Sequence, residues 1–431
     1  MIFTGNTVAT IFRLKRSIFV LLCIAFSTSQ ITITAAENPI IIGVATSLTS
    51  LEGKESLLAV RMAVAEINGR GGVKMASGNR RIHLKTVDLK DSSPDLPVQS
   101  ALQRLEEFLE TASIHALVVG PFRSEVLLPA MDLVARFRVP MIETIAMTPA
   151  MEAKVMKNPK YKYVFRTGLN TTYLTDYLIE SMRFLNTTYG FDRVYIMSQD
   201  VAWARSTTSL MIKLYFDRKG WQISGTRHYP SDTVDYSAGL TEAAALGAQV
   251  ILPIFDAPNS GNLVTQWKMM NLPSLLCGFI SPMVGPGAWE RFGSDLDGVL
   301  NVVFELGNMP SVKYTPAADF HRAYTTRFGE QIQAGHGPAP AYEAVFILAE
   351  AIESADSLDA DRLVAALERT DRYGVMGRLR FHQGHQVIFG DDPATEAVAC
   401  LVQWTKDGRR TIVYPPTIAE DDIHLPQAIR P

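Results

Sequence analysis

The chain has 431 residues, 47% of them apolar and 20% charged, with a formal net charge of −3. This length exceeds one ordinary domain, and the composition is that of a globular protein rather than a low-complexity one. The slightly acidic balance argues against a nucleic-acid partner, which favours a basic surface.

The first 36 residues read as a secretory signal peptide. Arg13, Lys15 and Arg16 form a basic start, "IFVLLCIAF" from Ile18 to Phe26 is a short apolar core, and small residues then allow cleavage after Ala35 or Ala36. The core is too short to cross a bilayer. Cys23 follows Leu22 rather than a small residue, which argues against a lipid anchor. Removing 1–36 shifts the formal charge from −3 to −6 and leaves Cys277 and Cys400. In an oxidising compartment these two can pair, or each can be a small core residue.

From residue 39 strand-like and helix-like segments alternate. "PIIIGVATSL" reads as a strand, 56–73 as an amphipathic helix stopped by Gly69, Gly71 and Gly72, 81–91 as a strand and 97–110 as a helix. The unit 115–143 contains a strand, Gly120–Pro121, a helix beginning past Ser124 and a second strand. A strand at 161–169 is followed by a second series: a helix over 172–186, a strand at 193–200, a helix over 204–219 and a strand from Trp221. A helix over 235–247 with an Asp cap comes next, then a strand at 248–256, a helix from Asn262, and strands at 274–281 and 298–307. Helices at 341–355 and 359–369 precede a tail of strands and hairpins. Repeated β-α-β with apolar strands means parallel sheets covered by helices on both faces, in two lobes divided near 161–169. In such sheets ligands bind where strands end and helices begin.

Several pieces in order carry a resemblance: "IGVATSLTS", "AVAEINGRGGV", "VDLKDSSPD", "VVGPFRSE", "YVFRTG", "DRVYIMSQDVAWA", "VDYSAGL" and "GVMGRLRFHQGH". Together they resemble the periplasmic solute-binding proteins of ABC importers, in the leucine/isoleucine/valine-binding branch. The resemblance covers nearly the whole chain after residue 36. It implies a type I periplasmic binding fold, α/β, with two Rossmann-like lobes joined by a three-strand hinge. Lobe I is then 37–168 with 303–378, and lobe II is 169–302 with 379–431. The crossings fall near 166–169, 300–304 and 377–381.

The resemblance also implies ligand contacts. Ser124 falls where a serine holds a ligand carboxylate, although its position alone equally fits a helix cap. Ile145 and Ala146 are placed to offer backbone groups, with Met147 at the usual hydroxyl position and Thr148 one residue later. Trp203 falls where an aromatic covers the ligand, and it can also be a partly exposed helix-start residue. Ile280 stands where an acid is usual. Asp256 is the substitute partner for an ammonium or amide, or else a turn residue before Pro258. Glu52 lies where the first loop touches the ligand, or is simply solvated.

No G-x-S-x-G, H-E-x-x-H, P-loop or dinucleotide fingerprint is present, so no enzyme activity and no cofactor are expected. His382 and His385 read as solvated hairpin residues rather than metal ligands. The function implied is capture of a small amino-acid-like, carboxylate or amide ligand in the periplasm by a monomer. The ligand then passes to an ABC permease in the inner membrane. A sensor of the same fold that signals to a membrane receptor kinase is the alternative.

Overall fold

A computed structural model describes residues 38–93, 95–425 and 429. The signal-peptide reading of 1–36 lies outside them. Pro39–Pro431 is one compact unit. Among the described residues no helix is long and apolar enough to cross a membrane.

The first series is β1 (Ile40–Thr46), α1 (Leu51–Gly69), β2 (Ile82–Asp88), α2 (Val98–Thr111), β3 (Ala116–Val119), α3 (Ser124–Phe137), β4 (Met141–Glu143), α4 (Ala150–Lys157) and β5 (Val164–Arg166). Its five strands form a parallel sheet in the order β2-β1-β3-β4-β5. The second series is α5 (Thr171–Tyr189), β6 (Arg193–Gln199), α6 (Ala202–Leu214), β7 (Gln222–Tyr229), α7 (Ser237–Ala245), β8 (Val250–Phe255), α8 (Asn262–Met269), β9 (Leu275–Ile280), α9 (Gly287–Phe292) and β10 (Leu300–Val303). The remainder is α10 (Thr315–Phe328), α11 (Pro338–Ala355), α12 (Ala360–Leu367), β11 (Arg372–Gly374), β12 (Gly377–Leu379), β13 (Phe389–Gly390), β14 (Ala397–Val398), β15 (Cys400–Trp404) and β16 (Arg410–Tyr414).

The second sheet runs β16-β15-β10-β9-β8-β6-β7, parallel from β6 to β10 and antiparallel at β15 and β16. The apolar strands β3, β8, β9 and β10 are buried at every position, as strands covered on both faces must be. Helix α11 is buried almost all round and packs on α1. It therefore returns to the first sheet although it lies far away in sequence.

The chain passes between the two large sheets at 167–170 and again at 304–308. The third passage runs through a small sheet, β11-β12-β14-β13, and the chain joins the second sheet only at Cys400. The segment 377–381 thus contains a strand of that small sheet.

Local differences from the pattern have local causes. Helix α1 begins at Leu51, not 56, because Ser50 Oγ accepts from Gly53 N and caps it. Helix α10 lies outside the helices read from the sequence; its signals are a proline in the first turn and Gly329 in the left-handed conformation after its end. Asp235 is not the cap residue of α7, but its carboxylate accepts from Ser237 N. Cys277 and Cys400 are buried free thiols, on strands separated by β10. His385 is buried, not solvated, and its ring stacks on Phe165 at 3.9 Å.

Arg166, fully buried at the end of β5, ties these parts together. Its guanidinium donates to Glu152 on α4, to Gln386, and to the carbonyls of Ala146 (2.9 Å) and Thr148 (3.0 Å). Removing one partner of a buried pair leaves an uncompensated charge. Arg166→Met is therefore expected to lower stability by about 3–5 kcal/mol, read from urea unfolding.

Candidate functional site

The residues marked in the sequence all sit at the carboxyl ends of parallel strands. Glu52 is in the first turn of α1, Ser124 opens α3, and Ile145 and Ala146 follow β4. Trp203 lies in the first turn of α6, Asp256 follows β8, and Ile280 ends β9. This is where a doubly wound sheet places a ligand.

Some of these residues are brought together. Trp203 Nε1 donates to Asp256 Oδ2 at 2.9 Å. Asp256 has open surface but is surrounded by protein on most sides, and that burial raises its pKa against the hydrogen bonds from Gln199 and Trp203. Burial likewise raises the pKa of Glu52, with His336 opposing and Asp256 adding to the rise. Glu52 from the first series and Asp256 from the second therefore sense one another's charge.

The sequence reading missed the rings between them. Trp203 meets Phe279 edge-on at 6.2 Å, Phe279 meets Phe304 at 4.5 Å, and Phe304 meets His336 at 5.2 Å. This run links α6 and β9 to the turn before α11. Strand alternation explains Phe279: Ile280 points into the core with Met283 and Trp404, so its neighbour faces the other way. Ile280 is also fixed by Asn301, whose side chain bonds both its N–H and its carbonyl. The end of β9 thus offers the ring of Phe279 beside Ile280, the position where the resemblance implies an acid.

His336 is buried and bridges the two series. Its Nε2 lies 2.7 Å from the Ile145 carbonyl and its Nδ1 lies 2.7 Å from Glu305. Burial opposes its charge, but Glu305, the Ile145 carbonyl and Glu52 together outweigh burial and the pKa is raised. Glu305 also accepts from Leu169 N and Gly337 N, so one carboxylate pins both passages between the sheets. In sequence only the glycines flanking His336, ahead of an apolar helix, hinted at a special turn.

The N–H groups expected to face a ligand are engaged. Glu143 Oε1 accepts from Thr144 N at 2.9 Å, Ile145 N at 2.8 Å and Ala146 N at 3.0 Å. At the β3 end, Val119 and Gly120 both have positive φ, 81° and 71°, and the turn presents Phe122 N (2.7 Å) and Arg123 N (3.2 Å) to Asp91 Oδ2. Helix α3 begins after Arg123, so Ser124 is not its cap residue, and its hydroxyl makes no hydrogen bond among the described residues. Among the described residues no hydrogen bond or ion pair ties Ser124 to Trp203, Asp256 or Glu52. Thr148 Oγ1 accepts from Ala150 N at the start of α4.

Two layered parallel sheets, linked by repeated passages and with a site at their strand ends, define the type I periplasmic binding fold. The chain belongs to the periplasmic binding protein family, whose model matches residues 39–409. It is 22% identical over 392 residues to the Leu/Ile/Val-binding protein homolog 7 of Brucella suis, covering 88% of this chain and 91% of that one. A Silicibacter pomeroyi structure, described as that of a branched-chain amino acid ABC transporter, superposes with a TM-score of 0.79 at 16% identity, over 91% of this chain and all of the other. The substrate-binding protein LivJ of Streptococcus pneumoniae, solved with isoleucine, gives 0.69 at 18% identity, over 88% and 100%. The family places the chain outside the cytoplasm.

Burial lifts the Glu143 carboxyl from its ordinary 4.5 to about 8, against three N–H bonds and Arg166. The folded state therefore holds a proton that the unfolded chain has released, and this contribution is lost as pH rises from 4.5 to about 8. Glu143→Gln should flatten that part of the stability-versus-pH curve, measured as the urea midpoint across the same interval. An unchanged curve would remove Glu143 as its source.

Proposed function

We propose that this chain is an extracytoplasmic solute-binding protein that captures a small ligand between its two large sheets and delivers it to an ABC permease. The observation that carries the reading is the ring run Trp203–Phe279–Phe304–His336, which joins both series beside Glu52 and Asp256. Apolar walls with a few placed polar groups are the ordinary make-up of a small-molecule site. Family membership and the isoleucine held by the LivJ neighbour support the same reading.

In this reading 37–168 with 303–378 forms one lobe and 169–302 with 379–431 the other. They close about the passages at 167–170 and 304–308, and the closed shape is what the permease recognises. Trp203 and Asp256 approach the ligand from one side, Glu52, Ser124, Ile145 and Ala146 from the other. The ligand is amino-acid-like, a carboxylate or an amide. The protein acts as a monomer without chemistry of its own.

Thermal unfolding against branched-chain and aromatic amino acids, the same acids without the amine, amides and alcohols tests this. A ligand at a hundred times its dissociation constant stabilises by about 2.7 kcal/mol, a rise of several degrees. A flat response to every compound would count against a solute-binding role.

A further inference from the structure

We propose that the ligand is an organic cation, an amine or ammonium held by Glu52 and Asp256 against the Trp203–Phe279–Phe304 wall, and that it needs no carboxylate. The inference rests on the solute-binding reading and narrows it.

Most of the anion side of the site is engaged by the chain itself, the Ser124 hydroxyl being the exception. Five N–H groups at the ends of β3 and β4 donate to Asp91 and Glu143. Glu143 is built in rather than adventitious. It is fully buried, and Gly120 leaves room for it: a Cβ there would lie 2.2 Å from Glu143 Oε2. A ligand carboxylate would have to displace an internal carboxyl group that is fully buried.

The cation side is open. Neither Glu52 nor Asp256 has a lysine or arginine ion-pair partner among the described residues. The charged groups that bear on Glu52 are His336, already held by Glu305, and Asp256 itself. Asp256 has only the neutral donors Trp203 and Gln199. The charge of Asp256 bears on Glu52, and two neighbouring carboxylates repel when both are ionised; a cation between them removes that repulsion.

A second, independent feature points to the same occupant. Ser56, one turn after Glu52, is fully buried and its Oγ has no hydrogen-bond partner. It lies against Gly337, where a Cβ would come 2.7 Å from Oγ and 3.6 Å from the Glu52 carbonyl. The unpartnered Ser56 hydroxyl is an acceptor on the helix that carries Glu52, suited to an ammonium with several N–H donors. The aromatic faces add cation–π attraction, which strengthens as water is excluded.

Calorimetric titration of the full chain with isoamylamine, phenethylamine, leucine, phenylalanine, isovalerate, phenylacetate and isovaleramide tests the proposal. The amines are expected to bind at least as tightly as the matching amino acids, and the deaminated acids not at all. Asp256→Asn and Glu52→Gln should each weaken amine binding by about tenfold or more, the scale of one hydrogen bond to a charged group. Glu143→Gly frees three N–H groups and should raise affinity for leucine over isoamylamine. If that variant does not fold, the two cleft variants still decide. Binding of isovalerate or isovaleramide without the amines would overturn the cation assignment and leave the solute-binding reading standing. Silence from every compound would overturn both.

Discussion

A guanidinium that is wholly removed from water needs acceptors for its N–H groups, and Arg166 finds four in three separate stretches of chain. Glu152 comes from α4, Ala146 and Thr148 from the loop after β4, and Gln386 from the returning chain. Gln386 in turn donates to the Gly168 carbonyl, in the first passage between the sheets. The loop after β4 therefore has little freedom: its carbonyls are held by Arg166 and His336, its N–H groups by Glu143. A binding surface built on this loop is rigid before any ligand arrives, which reduces the ordering that binding must impose.

A second carboxylate plays the corresponding part nearer the cleft. Glu305 lies two residues past the end of β10 and accepts from Leu169, Gly337, Asn308 and His336. It joins the two passages to the turn before α11 and orients the imidazole that bears on Glu52. The ring run then extends from His336 to Trp203, the residue whose indole meets Asp256. Structural and candidate binding groups thus form one continuous set of contacts, so the geometry of the cleft depends on the same buried polar groups that fix the fold.

Much of the layered architecture was legible in sequence. Continuous apolar runs such as "ALVV" and "VILPIF" can only be strands buried on both faces, and their alternation with helical periods leaves few topologies. The tail reads as strands and hairpins, but that β11 to β14 form a separate small sheet was not legible, since strands of two or three residues carry no periodic signal. The site was legible only at its strand ends. Asp256 and Trp203 were marked in the sequence, and a hydrogen bond joins them. Phe279 was hidden behind Ile280, because a shift of one position along a strand exchanges the two faces. Glu143 and His336 were hidden because their partners lie across the fold or in backbone N–H groups, which no side-chain pattern announces.

The sequence by itself determined the class of fold, the series of parallel strands and the set of strand ends at which a ligand can sit, because these follow from local periodicity and from the chirality of β-α-β units. Only the tertiary structure decided which polar groups remain open there. Whether an N–H group faces a ligand or an internal carboxylate depends on side chains brought from elsewhere in the chain. Burial then sets the protonation of Glu143, Glu52 and Asp256. Both are properties of three-dimensional surroundings, and neither is written at any single position.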